Sequence, residues 1–147
     1  MSVKFSNNGH STLAASLASN ATSITVASGH GARFPSLSSG EFFYATLIDA
    51  SNNLEIVKVT ARSSDVLTAT RAQESTTARA YAIGDRIELR VTAAGIADAT
   101  NIDNIVPSQS GNSGKFLKTD GTNVSFDTAG STSASDLSSG TLAHLRL

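Results

Sequence analysis

The 147-residue sequence has no cysteine, no tryptophan and only two prolines. Without cysteine, neither a disulfide framework nor a thiolate metal site is possible. Charged residues make up only 16% of the chain, and the formal net charge is -1. This balance gives no electrostatic reason to expect a nucleic acid or an acidic lipid surface as a partner. Aromatic residues, at 5%, are too scarce for the stacking platforms that hold single-stranded nucleic acid.

Long apolar runs are also lacking. No segment approaches the ~20 apolar residues that cross a bilayer, so no membrane partner is expected. The first ten residues, Met1 to His10, have no apolar core of the kind found in signal peptides, and we expect synthesis in a cytoplasm without a secretory leader. The last six residues, 142–147, show no feature typical of a protein's C-terminus, and we expect a longer parent polypeptide.

Alternation of apolar and polar residues is the main signal in residues 1–97. It predicts a mainly β fold, a small antiparallel β-sandwich or barrel built from short strands with tight reversals. Strands are expected over residues 23–27, 41–48, 54–61, 66–71 and 86–91. Residues 11–17 are expected to form a strand paired with 23–27, or alternatively a helix, since alanine and leucine favour helices.

For two of these strands the sequence also predicts which side chains lie on each face. Glu41 to Ile48 carries apolar residues at both odd and even positions, so both faces of this strand are expected to be covered. In the 86–91 strand, Arg86, Glu88 and Arg90 are expected on one face, and the apolar residues between them on the other. Thr92 is a suitable N-cap for a short helix over residues 93–99.

Residues 98–147 are predicted to form an extended, mostly irregular arm with one β-hairpin near residues 115–126. Asp120-Gly121 favours a type I′ turn, which would set Leu117 opposite Val124 and Lys118 opposite Asn123. An isolated hairpin is marginal in water, and a flexible linker would lack such regularly spaced bulky residues. We therefore predict that the apolar residues of the arm contact other chains. The predicted interface residues are Phe116, Leu117, Val124, Phe126, Leu137 and Leu142.

No residue pattern indicates catalysis, a metal site or a bound cofactor, and we expect the protein not to be an enzyme. His10, His30 and His144 have no metal-ligand spacing and are expected in surface loops. Gly111 to Lys115 has two residues between its glycines, where a phosphate-binding loop needs four. Solvent-exposed roles are expected for the carboxylate pairs, which are Asp85 with Glu88 and Asp49 with Glu55.

Two parts of the sequence resemble structural proteins of tailed bacteriophages, in particular tail-fibre and neck-fibre polypeptides. The first comprises residues 43–62, 67–81 and 84–90, and looks like a β module that recurs near the N-terminus of such fibres. The second comprises residues 114–126 and 135–142, and is similar to short runs that recur in fibre shafts. Ser75 departs from the pattern, because glycine is expected at this turn position between Glu74 and Thr76.

The resemblance implies a virion structural protein: the virion-proximal part of a homotrimeric fibre used in host attachment. The β module would dock to other virion proteins of the tail, neck or head, and the arm would intertwine with two sister chains to begin the shaft. Two alternatives stay open. One is a capsid decoration or head–tail connector component that binds as single copies. The other is a surface glycan-binding module. The chain has no tryptophan for such a site, and its two tyrosines, Tyr44 and Tyr81, lie in a predicted strand and a predicted connection.

Overall fold

The computed structural model describes residues 2–101 and 106–128. Contacts divide the chain into two compact units, Met1–Asn104 and Ile105–Leu147. The elements of the first unit are β1 (Ser2–Val3), β2 (His10–Thr12), β3 (Ser23–Thr25), a 3-10 turn (Gly31–Arg33), β4 (Glu41–Ile48), β5 (Leu54–Ser63), β6 (Val66–Gln73), β7 (Arg86–Glu88) and α1 (Ala93–Thr100). The second unit contains β8 (Lys115–Thr119) and β9 (Val124–Thr128).

The first unit is a curled antiparallel sheet with the strand order β2-β7-β4-β5-β6-β3, and β1 pairs in parallel with β4. The two ends of this order meet. Leu13 and Val26 form an antiparallel bridge, with a hydrogen bond of 2.8 Å from the Ala14 N–H to the Thr25 carbonyl. The predicted mainly β fold is confirmed, and the sheet closes on itself as a small barrel does.

Strand β4 lies at the centre of the sheet, and both of its faces are buried. Phe43 and Leu47 belong to the main core, while Phe42 and Ile48 on the opposite face are also buried. The covered second face confirms the expectation drawn from the continuous apolar run. The main core contains Leu13, Leu17, Ile24, Val26, Phe34, Phe43, Ala45, Leu47, Val57, Val59, Leu67, Ala69, Tyr81 and Ile87.

Helix α1 covers part of the second face of β4. Its N-cap is Thr92, as predicted, whose Oγ1 accepts a hydrogen bond of 3.1 Å from the Gly95 N–H. Gly95 is buried, and it faces the Tyr44 ring, since a Cβ atom built there would lie 3.5 Å from the ring. The Tyr44 hydroxyl donates to Asp98 at 3.1 Å. The boundary predicted at residue 97 falls inside this helix.

Three predicted strands are shorter than expected. Strand β3 ends at Thr25 rather than residue 27. Strand β7 ends at Glu88 rather than residue 91, because its pairing with β4 stops at Thr46 and the chain turns towards the N-cap of α1. Val91 is consequently 67% exposed. Residues 11–17 form neither a continuous strand nor a helix. After β2, only Leu13 and Leu17 bridge to other segments.

Candidate functional site

The hairpin of the second unit exists as predicted, but its register differs by two residues. Leu117 pairs with Phe126 and Lys118 with Ser125. The Asp120 carboxylate accepts hydrogen bonds from the backbone N–H groups of residues 122 and 123, at 2.8 and 2.7 Å. This local bonding centres the turn one residue later than a type I′ turn at Asp120-Gly121 would. Of the turn residues 120–123, only Gly121 has positive φ, at 93°, whereas type I′ requires two.

A shift of two residues leaves each side chain on its predicted face. Leu117, Val124 and Phe126 share one face of the hairpin, and Phe116 lies on the other. Leu117 is 48% exposed and Val124 is 39% exposed. We call the shared face of Leu117, Val124 and Phe126 the hairpin face. These three apolar side chains have no covering strand or helix among the described residues of their own unit.

The opposite side of the hairpin carries charge. Lys118 forms an ion pair with Asp127 there. Lys115 lies on the hairpin face, at the start of β8, and its Nζ donates to Asn112 Oδ1 at 2.8 Å. The hydrogen bond from Lys118, with a second one from the Thr128 N–H, lowers the pKa of Asp127. Both faces therefore combine apolar and charged side chains, since the half-exposed Phe116 lies on the face of Lys118 and Asp127. The remaining two predicted interface residues, Leu137 and Leu142, lie outside the described residues.

The histidines of the first unit take part in local hydrogen bonding. His10 is exposed in β2, and Arg33 Nη1 donates to its Nε2 at 3.3 Å. His30 is half-buried, with its Nδ1 3.0 Å from Ser11 Oγ. In residues 2–101 and 106–128, no group of three or more acidic, histidine or cysteine side chains is placed to hold a metal ion. His144 lies outside the described residues.

Glu55 is not at the surface, and the expectation of a solvent-exposed role for it is wrong. Its side chain is fully buried at the start of β5, and it faces inward like Val57 and Val59. Both carboxylate oxygens accept hydrogen bonds from Arg71, at 2.8 and 2.7 Å. The backbone N–H groups of Ala72 and Arg79 donate to the same carboxylate. A signal was present in the sequence, since residue 55 has the same parity as these inward-facing valines.

Arg71 connects this buried carboxylate to two separate segments, the turn at residues 18–21 and the chain at residue 79. Besides Glu55, its guanidinium donates to the carbonyl groups of Ala18, Ala21 and Arg79, at 2.9, 2.8 and 2.6 Å. Its side chain is only 7% exposed. Fully hydrogen-bonded buried charges of this kind hold loops in a defined arrangement. The pair therefore organises the connection that follows β6.

The end of β6 and the turn after it, residues 72–76, have an unusual backbone. Ala72, Glu74 and Ser75 all have positive φ values, of 55°, 51° and 63°. Each such residue costs about 1–2 kcal/mol, because its Cβ crowds the neighbouring carbonyl. Ser75 is the position at which the phage-fibre resemblance predicts glycine, and its φ lies in the region that favours glycine. Thr76 ties the end of this loop to β5, because its Oγ1 accepts a hydrogen bond of 3.0 Å from the Ile56 N–H.

The comparisons with known proteins give no family. A scan against protein-family models and a search of curated proteins each found no match to this chain. Within the described residues, no helix has the length and apolar character needed to cross a membrane.

Proposed function

We propose that this chain is a virion structural protein, the virion-proximal part of a phage tail or neck fibre. In this role the first unit anchors the fibre to the tail, neck or head, and the second unit begins a homotrimeric shaft. The observation that carries the proposal is the hairpin face. An isolated two-stranded hairpin is marginally stable, and exposed apolar side chains on it are stabilised when a partner covers them. The resemblance to phage fibres, in residues 43–62, 67–81, 84–90, 114–126 and 135–142, supports the same role.

Two features of the hairpin favour sister chains as the partner. The hairpin face offers Leu117, Val124 and Phe126, and covering their exposed parts would contribute on the order of 1 kcal/mol per residue. In addition, β8 and β9 pair only with each other in the described part of the chain, so their outer backbone groups can pair with other strands. Three copies of one chain can satisfy both requirements at once through rotational symmetry.

The first unit suits an anchoring role. Its sheet closes on itself and encloses one continuous core, so it can fold before the arm assembles. Along the chain, the second unit follows a few residues after α1, the last element of the first unit. A self-contained module followed by a segment that needs partners is the arrangement expected at the base of a fibre.

The test is the mass of the full chain by native mass spectrometry at micromolar concentration, for the wild type and two variants. Leu117→Asp places a charge on the hairpin face, whereas Ser125→Asp places the same charge on the opposite face as a matched control. We expect trimers for the wild type and for S125D, and monomers for L117D with an unchanged far-UV circular dichroism spectrum of the β module. A monomeric wild type, or a trimeric L117D variant, would refute the proposal.

A further inference from the structure

The first unit has a cavity of about 260 Å³ beside the strained loop that follows β6. Its aliphatic lining comes from Leu54, Ile56 and Val91, and Leu54 and Val91 are 48% and 67% exposed. Glu74 also lines the cavity. The site therefore combines an apolar channel that is open to solvent with a carboxylate.

Glu74 has one satisfied and one unsatisfied oxygen. Its Oε2 accepts a hydrogen bond of 3.0 Å from the Ala94 N–H, in the first turn of α1. Its Oε1 is buried and has no hydrogen-bond partner among the described residues. A buried carboxylate oxygen without a donor is costly, and a charged donor satisfies it better than a neutral one.

The position of Glu74 is set by its surroundings. Both Glu74 and Ser75 have positive φ, and Thr76 fixes the end of the loop through Gln73 and Ile56. Backbone strain that the surrounding structure maintains is typical of binding sites, where it holds a side chain in a set place. Here the strained residue is itself the one with the unsatisfied oxygen.

The other charged side chain at the cavity already has a partner. Arg90 lines the cavity, and its guanidinium is paired with Glu88 through contacts of 2.9 and 2.7 Å. It is therefore not the partner of Glu74. An occupant must bring an aliphatic body for the walls and a cationic donor for the carboxylate.

We propose that this cavity binds a lysine side chain presented by a partner protein. The four-carbon stem of lysine would lie against Leu54, Ile56 and Val91, and its ammonium group would donate to Glu74. Lysine side chains commonly bury the stem in this way while the charged end meets an acceptor. The proposal does not depend on the fibre role, because it concerns a site within the first unit alone.

The experiment is a titration of the ¹⁵N-labelled full chain with N-acetyl-lysine methylamide, followed by NMR. N-acetyl-norleucine methylamide, which has the same four-carbon stem without the ammonium group, is the matched control ligand. We expect the lysine probe to shift the amide signals of Val91, Thr92 and Ala94 at millimolar concentration, and the norleucine probe to bind at least about tenfold more weakly.

Glu74→Gln removes the charge and keeps the size of the side chain, and we expect it to reduce the affinity for the lysine probe about tenfold. Glu41→Gln is the control variant, since Glu41 pairs with Lys4 and does not line this cavity. Equal binding of both probes, or no shift at these amides, would overturn the proposal. The comparison of the two probes on the wild-type protein keeps the test decisive even where E74Q folds poorly.

Discussion

Replacing Arg71 with methionine tests how far the buried ion pair holds the first unit together. The change keeps an unbranched stem but removes two of the four hydrogen bonds to the Glu55 carboxylate, which is fully buried. Glu55 would then keep only the backbone N–H groups of Ala72 and Arg79. Breaking a buried pair in this way typically costs about 3–5 kcal/mol, against a total stability of roughly 5–15 kcal/mol. We therefore expect R71M to lose a large share of the free energy of unfolding.

Urea denaturation of the full chain measures this loss. Far-UV circular dichroism and tyrosine fluorescence are suitable signals, because the protein has no tryptophan and Tyr81 lies beside Arg71, with its ring 6.0 Å from the guanidinium carbon. In the folded protein burial, and next the nearby Glu55 charge, raises the pKa of Tyr81 to about 12. The control is Arg90→Met. Arg90 pairs with Glu88 at the surface, and its loss should cost at most about 1 kcal/mol.

A double-mutant cycle with Glu55→Met separates the pair from the other contacts of Arg71. The double variant should be more stable than the sum of the two single effects, by about 1–3 kcal/mol, because neither charge is then left buried alone. The reasoning fails if R71M loses no more stability than R90M. It also fails if the two single effects simply add.

Two further substitutions test the backbone of the first unit. Gly31→Ala should lower the free energy of unfolding by about 1–3 kcal/mol or more in urea denaturation. The new Cβ would lie 1.9 Å from the Ser64 carbonyl oxygen, a backbone atom that cannot rotate away as a side chain could. An unchanged midpoint would contradict this expectation. Ser75→Gly should raise the thermal unfolding midpoint, with a gain of up to about 1 kcal/mol, because φ at residue 75 is 63° and glycine adopts this value without strain. A lower midpoint for S75G would contradict that account.

Local patterns in the sequence predicted a good part of the fold. A continuous apolar run identified β4 with its exact bounds, and a polar residue before an alanine-rich run identified Thr92 as the cap of α1. The hairpin face was also predictable, because side chains alternate along a strand and a two-residue register shift leaves them on the same face. The virion role, the partners and the trimeric state stay predictions.

What the sequence determined by itself is the set of features that arise between near neighbours: strand periodicity, the helix cap and the polarity of each face. Tertiary structure decided the features that join distant residues. Glu55 is buried because Arg71, sixteen positions later, satisfies it. The sheet closes because residues 12–14 meet 25–27 across it, and Gly31 is needed because the Ser64 backbone passes against it. Such contacts depend on where the chain returns in space, and no local pattern encodes that.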